Sequence, residues 1–428
     1  MKRSGADSCS GVREEMLSWM KSFWHVNAPT QEIFRNFSEN NLSNFFLPYG
    51  VVPNFLLNDR MYIVPVVTEE SSVVAALSKS AKFWAEHGGF HARVLGTEKL
   101  GQIHFYSRIP ASEMQKVFDA ALPALKEAAV PLLSRMKQRG GGITKIDLLD
   151  KTTEEPGYYQ IRVGFTTADA MGANLINSVL EEMAQALKEF VGCETGSNVD
   201  IIMAILSNYT PNCLVESWVS CPALSLTKHT HLGERFVERF LKAVRIAEID
   251  VGRAVTHNKG IYNGIDAVIL ATGNDFRAVE AQGHAYASSS PESPAGYRSL
   301  SKASVDEQGI FHFCLKIPLT LGTVGGITAV HPLAKFSLQL LGNPSAAELM
   351  QVVASVGLAQ NFAAIQSLIT TGIQQGHMRM HIYNMAKQLG ASPEEILALR
   401  RAIGTDTVTH SRVQYILEEI RARRGKDP

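Results

Sequence analysis

The 428-residue chain is short of cysteine, has no excess of either charge and shows no recognisable targeting signal. Its five cysteines, Cys9, Cys193, Cys213, Cys221 and Cys314, stand at spacings that make neither a metal knuckle nor an even disulfide framework. Buried thiols in a reducing compartment are therefore expected, and no metal site. Forty-one basic residues against forty-one acidic ones leave no global field to draw nucleic acid or an anionic membrane, so an anionic ligand must be held by local charges. The basic residues Lys2 and Arg3 are followed by no apolar region, which argues against a signal peptide. No apolar run approaches the ~20 residues that a membrane span needs. These absences point to a cytoplasmic protein, 45% hydrophobic and long enough for more than one domain.

What is present reads as an α+β fold. Residues 12–24 have the period of an amphipathic helix, and Phe45 to Val67 is strand-rich with breaks at Pro48, Pro53 and Asn58-Asp59. Glu69-Glu70-Ser71-Ser72 then precedes an apolar run, where a serine could cap a helix with the glutamates as solvated neighbours. The section from Gln102 to Leu206 alternates strand and helix periods in the order β-α-β-β-α-β, with Ser112 and Gln115 as a capping box and Gly140-Gly141-Gly142 as a stop. This predicts a ferredoxin-like domain at residues 97–208, inserted in a large mixed domain of residues 1–96 and 209–371. In the large domain, Ser345 with Glu348 caps one helix and another is expected from Gly357 to Thr370. A small helical flap, residues 372–428, closes the chain.

The segment from Arg253 to Arg277 stands out, because it sets Arg253, Lys259, Asn263, Asp266 and Asp275 around a single apolar run. Lys259 lies between Asn258 and Gly260, where glycine permits close approach of a ligand to a compact cation; a surface lysine in a turn is the plainer alternative. Asp275 follows the apolar run, so it is expected beside the same site, where a lysine and a carboxylate together can relay protons. His377 and His381 are spaced for one helix face, but Met378 stands where a zinc protease has glutamate, and no third ligand is suggested. A histidine on a mobile lid is instead suited to protonate a leaving group. No dinucleotide fingerprint follows a strand. Asp169-Ala-Met171-Gly172-Ala-Asn174, however, opens a helix directly after a strand, a natural seat for pyrophosphate, and Gly322 to Gly326 offers a second close-approach loop.

Taken in order, Glu69-Glu70-Ser71-Ser72, Asp169 to Asn174, Thr256-His257-Asn258-Lys259-Gly260, Gly273-Asn274-Asp275, Gly322 to Thr328 and Gly376-His377-Met378 resemble the hydroxymethylglutaryl-coenzyme A reductases, and among them the soluble bacterial class (class II). The resemblance covers about residues 45–385. It implies a two-step, four-electron reduction of the thioester 3-hydroxy-3-methylglutaryl-CoA to mevalonate and CoA, in an obligate homodimer with interfacial active sites. It further implies Glu70, Lys259, Asp275 and His377 as catalytic residues, and Ser72, Asn208, Arg253 and Asn263 as substrate contacts. The cofactor would be held by Asp169, Met171, Gly172, Asn174 and Gly325.

Three departures accompany the resemblance. Ser71 replaces the proline usual after the catalytic glutamate, and Glu39-Asn40-Asn41-Leu42-Ser43 replaces a Glu-Asn-Val-Ile-Gly segment. Near Leu132 there is no acidic residue for ribose hydroxyls; Arg135, Lys137 and Arg139 favour a 2′-phosphate and hence NADPH, a helix end carrying solvated cations being the competing account. The rival readings are an NADH-linked homologue that oxidises mevalonate and a lapsed acyl-CoA-binding protein. Retention of all four catalytic candidates argues against the latter.

Overall fold

The computed structural model describes residues 6–227, 232–289, 296–370, 385–403 and 409–424. Helices α1 (Ala6–Lys21) and α2 (Ala28–Arg35) lead into an antiparallel hairpin of β1 (Tyr49–Leu57) and β2 (Arg60–Val67). The hairpin turns at Asn58 and Asp59, both with positive φ, which short polar side chains tolerate by bonding nearby backbone. Asn58 also ties the turn down, its amide exchanging hydrogen bonds of 2.9 and 3.0 Å with Ala92. Helix α3 (Val73–Ala85) and strand β3 (His91–Val94) follow.

The next six elements are β4 (Lys99–Ser107), α4 (Ala111–Gln138), β5 (Gly142–Asp150), β6 (Tyr158–Thr166), α5 (Ala173–Thr195) and β7 (Val199–Ser207). They form an antiparallel sheet in the order β5-β6-β4-β7. This is the β-α-β-β-α-β arrangement that the periodicity predicts. β4 alternates buried and half-buried residues along its whole length, as a strand with one face on helices must. Ile103, Phe105, Phe118, Leu125, Phe165 and Met183 belong to a core of its own. The expected capping box of α4 does not form: Pro110 holds the N-cap position, and Gln115 instead donates to Asp119 one turn on.

The remainder of the large body comprises β8 (Leu214–Pro222), α6 (Ala223–Thr227), α7 (Arg235–Ile249), α8 (Val251–Ala271), α9 (Phe276–Ser289), β9 (Ser301–Val305), β10 (Ile310–Pro318), α10 (Gly326–Val330), α11 (Pro332–Leu340) and α12 (Ala346–Ile369). A second antiparallel sheet has the order β3-β8-β10-β9. The Ser345–Glu348 capping box forms as expected, but it starts one helix of 24 residues, with no break at Gly357. Gly357 is internal because α8 needs the space: a Cβ there would lie 2.8 Å from Ile265 Cγ1. Reciprocally, a Cβ on Gly264 of α8 would lie 2.8 Å from Gln360 Cβ and 2.9 Å from the Val356 carbonyl oxygen. Contrary to the expectation of no such run, α12 is long and apolar enough to cross a membrane, yet 67% of its most apolar window is buried inside the protein.

Helices α13 (Pro393–Ile403) and α14 (His410–Arg424) pack on each other through Leu399, Val413 and Leu417. Ser392 and Glu395 cap the start of α13 with reciprocal hydrogen bonds of 2.8 and 3.2 Å.

Candidate active site

The polar segment singled out above is helix α8, not a turn. Asp250 starts it by accepting from the Arg253 amide at 2.6 Å. One side then buries Ala254, Ile261, Ile265, Val268 and Ile269, and this packing outweighs the modest helix propensities of its Gly, Asn and Thr residues. Gly260 sits mid-helix with ordinary room around it, so close approach of a ligand to its backbone is not its role.

The polar residues of α8 fall into two groups. His257 and Asn258 are buried and structural: Asn258 donates to the Arg298 carbonyl at 2.8 Å and accepts from the Leu300 amide at 3.0 Å. His257 Nε2 meets Ser301 Oγ at 2.7 Å, and burial pushes its pKa down to about 3, so the imidazole is neutral. Lys259 and Asn263 face outward on another side. Lys259 Nζ donates to Glu70 Oε2 at 2.6 Å and Asn263 Nδ2 donates to Glu70 Oε1 at 3.2 Å. The lysine side chain is 61% exposed and the glutamate 35%, so this ion pair is worth little to stability and is open to a ligand.

Glu70 arrives from the turn after β2. The next helix, α3, begins at Ser72, but the expected serine cap is absent: Ser72 has φ 75° and makes no side-chain cap bond. A left-handed backbone costs a non-glycine residue about 1 kcal/mol or more. The exposed hydroxyl is thereby left available near Glu70.

Asp275 lies elsewhere. It caps α9, its Oδ1 accepting from the amides of Arg277 at 3.1 Å and Ala278 at 3.2 Å. Along α8 the rise from Lys259 to Ala271 alone is ~18 Å. The expected Lys259–Asp275 contact is therefore not made within the chain; Glu70 takes that place. Asp275 instead lines a cleft of about 770 Å³ with Met171, Gly172, Asn174, Gly273 and Gly325.

That cleft unites the two glycine-bearing loops. Thr323 donates from its amide to the Asp169 carbonyl at 2.9 Å, and Ala170 bridges to Val324. Any Cβ on Gly322 would lie 2.5 Å from the Met171 nitrogen. Gly172 opens α5 with φ 86°, and a Cβ there would lie 2.6 Å from Thr167. Asp169 spends Oδ1 on the Ala346 amide at 2.8 Å, anchoring the loop to the start of α12. Arg253 is half-buried, whereas Asn208 is exposed and lines a gap with Lys99 and Met171. Arg135 falls on α4, its side chain outside the described residues, as is the whole of His377.

One feature carried no signal in the sequence reading. Lys99 is buried, and its ammonium donates to Thr167 Oγ1, to the Ala170 carbonyl at 2.7 Å and to the Met171 carbonyl at 3.0 Å. Burial pushes its pKa down to about 8. It clamps the root of the loop that lines the cleft, yet in sequence it is only a lysine at the start of a strand. Asp266, named in the polar segment but given no role there, is half-buried on α8, its Oδ1 enclosed and without a hydrogen-bond partner among the described residues.

Comparison with known proteins follows this geometry. Residues 12–382 match the family described as hydroxymethylglutaryl-coenzyme A reductase. The 3-hydroxy-3-methylglutaryl-coenzyme A reductase of Archaeoglobus fulgidus is 36% identical over 362 residues, 84% of this chain and 78% of the relative. A probable reductase of the same name from Borreliella burgdorferi is 34% identical, over 86% of this chain and 83% of its own length. Among solved structures, the Streptococcus pneumoniae reductase superimposes with a TM-score of 0.73 at 33% identity, covering 98% of both chains. A class II reductase from the same organism, described as bound to NADPH in open conformations, gives 0.72 at 34% identity, over 86% of this chain and 98% of that one.

Proposed function

The chain belongs to the hydroxymethylglutaryl-coenzyme A reductase family and reduces 3-hydroxy-3-methylglutaryl-CoA to mevalonate and CoA; from that premise we propose that Lys259 and Glu70 form its reducing centre. The observation that carries the assignment is the Lys259–Glu70–Asn263 cluster, an accessible cation held beside a carboxyl group with no stability to gain.

Each reduction leaves negative charge on a carbonyl oxygen. The Lys259 ammonium is proposed to stabilise it, an effect worth ~3–4 kcal/mol for a well-placed donor. Glu70, in its protonated form, delivers a proton to the aldehyde oxygen of the second step. Arg253, Asn263, Asn208 and Ser72 are assigned to the hydroxymethylglutaryl group. His377 is assigned to protonating the departing thiolate, on the sequence resemblance.

The cleft between the glycine-bearing loops fits a nicotinamide dinucleotide. Left-handed Gly172 bares the first amides of α5, a 23-residue helix whose N-terminus favours a pyrophosphate. When bound, NADPH supplies hydride. Asp169, Met171, Gly172, Asn174 and Gly325 are assigned to that cleft and Arg135 to the 2′-phosphate. Residues 97–208 thus serve as the cofactor domain, residues 1–96 and 209–371 as the substrate domain, and residues 372–428 as the flap.

A homodimer with interfacial sites completes the proposal. Its support is the separation already described: Lys259 and Glu70 form one set, Asp275 and the cofactor cleft another. A second copy would bring one chain's first set to the other's second set. We place the enzyme in the cytoplasm.

The test follows absorbance of the nicotinamide at 340 nm with HMG-CoA, supplying NADPH and NADH separately. Consumption with a higher kcat/KM for NADPH is expected. A preference for NADH would overturn the cofactor assignment, and no consumption of either would overturn the enzymatic reading.

A further inference from the structure

Lys99 opens β4 on the side that faces the core of its sheet, since burial alternates along the strand and Lys99 shares that side with Gly101, Ile103 and Phe105. An apolar residue would be expected there. Its pairing opposite Phe165 sets it beside the end of β6, where the chain leaves the sheet for the loop that lines the cofactor cleft. The residue is 5% exposed, and its ammonium has three hydrogens for three oxygens: Thr167 Oγ1, the Ala170 carbonyl at 2.7 Å and the Met171 carbonyl at 3.0 Å. Thr167 gives its own hydrogen to the Ala170 carbonyl at 2.6 Å, so toward Lys99 it can only accept.

The titratable group that acts on Lys99 is the Cys213 thiol, which burial pushes up and keeps neutral, so the cation has no counter-charge among the described residues. Burying such a cation is costly. The gap beside it, about 10 Å³, holds no more than one water, so substrate does not reach it. What Lys99 does act on is the loop. Ala168 and Gly172 are both left-handed, at φ 47° and 86°, a conformation that an alanine disfavours. Between them the carbonyls of Ala170 and Met171 face the ammonium. In a trans peptide the carbonyl and the following amide point in opposite directions, so the amides of Met171 and Gly172 face away from Lys99. Met171 and Gly172 line the cleft, and Lys99 does not.

We propose that Lys99 is a positioning residue for cofactor binding: it draws the carbonyls of Ala170 and Met171 under the loop, so that a pyrophosphate in the cleft meets amides above a cation. Carbonyl oxygens turned the other way would repel the same anion. Lys99 touches neither cofactor nor substrate and acts through the loop. The inference rests on reading the cleft as the seat of the nicotinamide dinucleotide.

The experiment uses the full-length enzyme and Lys99→Met, which removes the donors and the charge, with Thr167→Val as a second variant that leaves the ammonium in place. Affinity for NADPH, read from nicotinamide fluorescence, should fall about tenfold or more in Lys99→Met, as expected for hydrogen bonds from a charged donor. Thr167→Val, which removes a single contact of the ammonium, should lose about threefold. In turnover the KM for NADPH should rise with the loss of affinity, while the KM for HMG-CoA stays within about twofold and kcat at saturating NADPH within about threefold. A structural role alone would lower kcat and the melting temperature without that split. An unchanged affinity for NADPH in Lys99→Met, or an equal loss for HMG-CoA, overturns the clamp. If Lys99→Met does not fold, Thr167→Val decides, and wild-type affinity for NADPH in that variant overturns the clamp. A wild type that binds NADPH places either failure at Lys99; one that does not bind it overturns the reading of the cleft, and the clamp with it.

Discussion

Helices α8 and α12 lie backbone against backbone, yet they look nothing alike in sequence. α8 carries Arg, Lys, His, Asn and Asp and reads as the wall of a site. α12 is apolar almost all round, with buried residues from Ala346 to Ile365, and by composition resembles a membrane segment. Each is explained by the other. A site helix exposes ionisable groups on one side and must be held rigidly on the opposite one; Gly264 and Gly357 permit an approach close enough to do so. Immobilising chemistry thus falls to a partner with none of its own.

Three substitutions probe that division, beginning with the largest effect. Lys259→Ala should cut the reduction rate roughly a hundredfold to a thousandfold, the loss of one well-placed oxyanion donor, with the melting temperature unmoved because the Lys259–Glu70 pair is exposed. Mixed with an inactive Asp275→Asn variant and refolded together, it should regain activity through heterodimers that hold one intact site. No regain would refute the interfacial arrangement, and a fall in melting temperature would show that the polar face also bears on packing.

Gly264→Ala comes next. Its Cβ would press within 3 Å of α12 backbone, so a loss of about 1–3 kcal/mol in chemical denaturation is expected, typical of overpacking. The smallest effect is of opposite sign. At Gly260, one turn earlier, the nearest atom to an added Cβ is Ala364 Cβ at 3.9 Å, so Gly260→Ala should stabilise by roughly 0.5–1 kcal/mol through helix propensity. Equal responses at the two glycines would mean that the α8–α12 contact is not what holds the site helix.

Legibility in the sequence followed the same line. The β-α-β-β-α-β unit was readable because its helices and strands each bury one face at a fixed period, and turn residues such as Gly140 mark element ends. Glu70, Lys259 and Asn263 were readable as candidates, and they do cluster. Asp275 was expected beside Lys259, but within one chain the two stand apart, because nearness in sequence says little once a helix lies between two residues. A serine cap was expected where Ser71 and Ser72 precede the apolar run, but the left-handed turn withdraws the Ser72 side chain from that task. Lys99 was missed because a lone lysine looks solvated until its burial and three oxygen acceptors are seen.

The sequence by itself determined the β-α-β-β-α-β order of residues 99–207 and the family, since both are written in local periodicity and in residue types at short spacing. Only the tertiary structure decided that Lys259 rides on a helix, that Glu70 meets it from 189 positions away in the chain, and that Lys99 is buried against the loop at Ala170 and Met171. Those are contacts between elements distant in sequence, and their chemistry depends on burial, which no local pattern records.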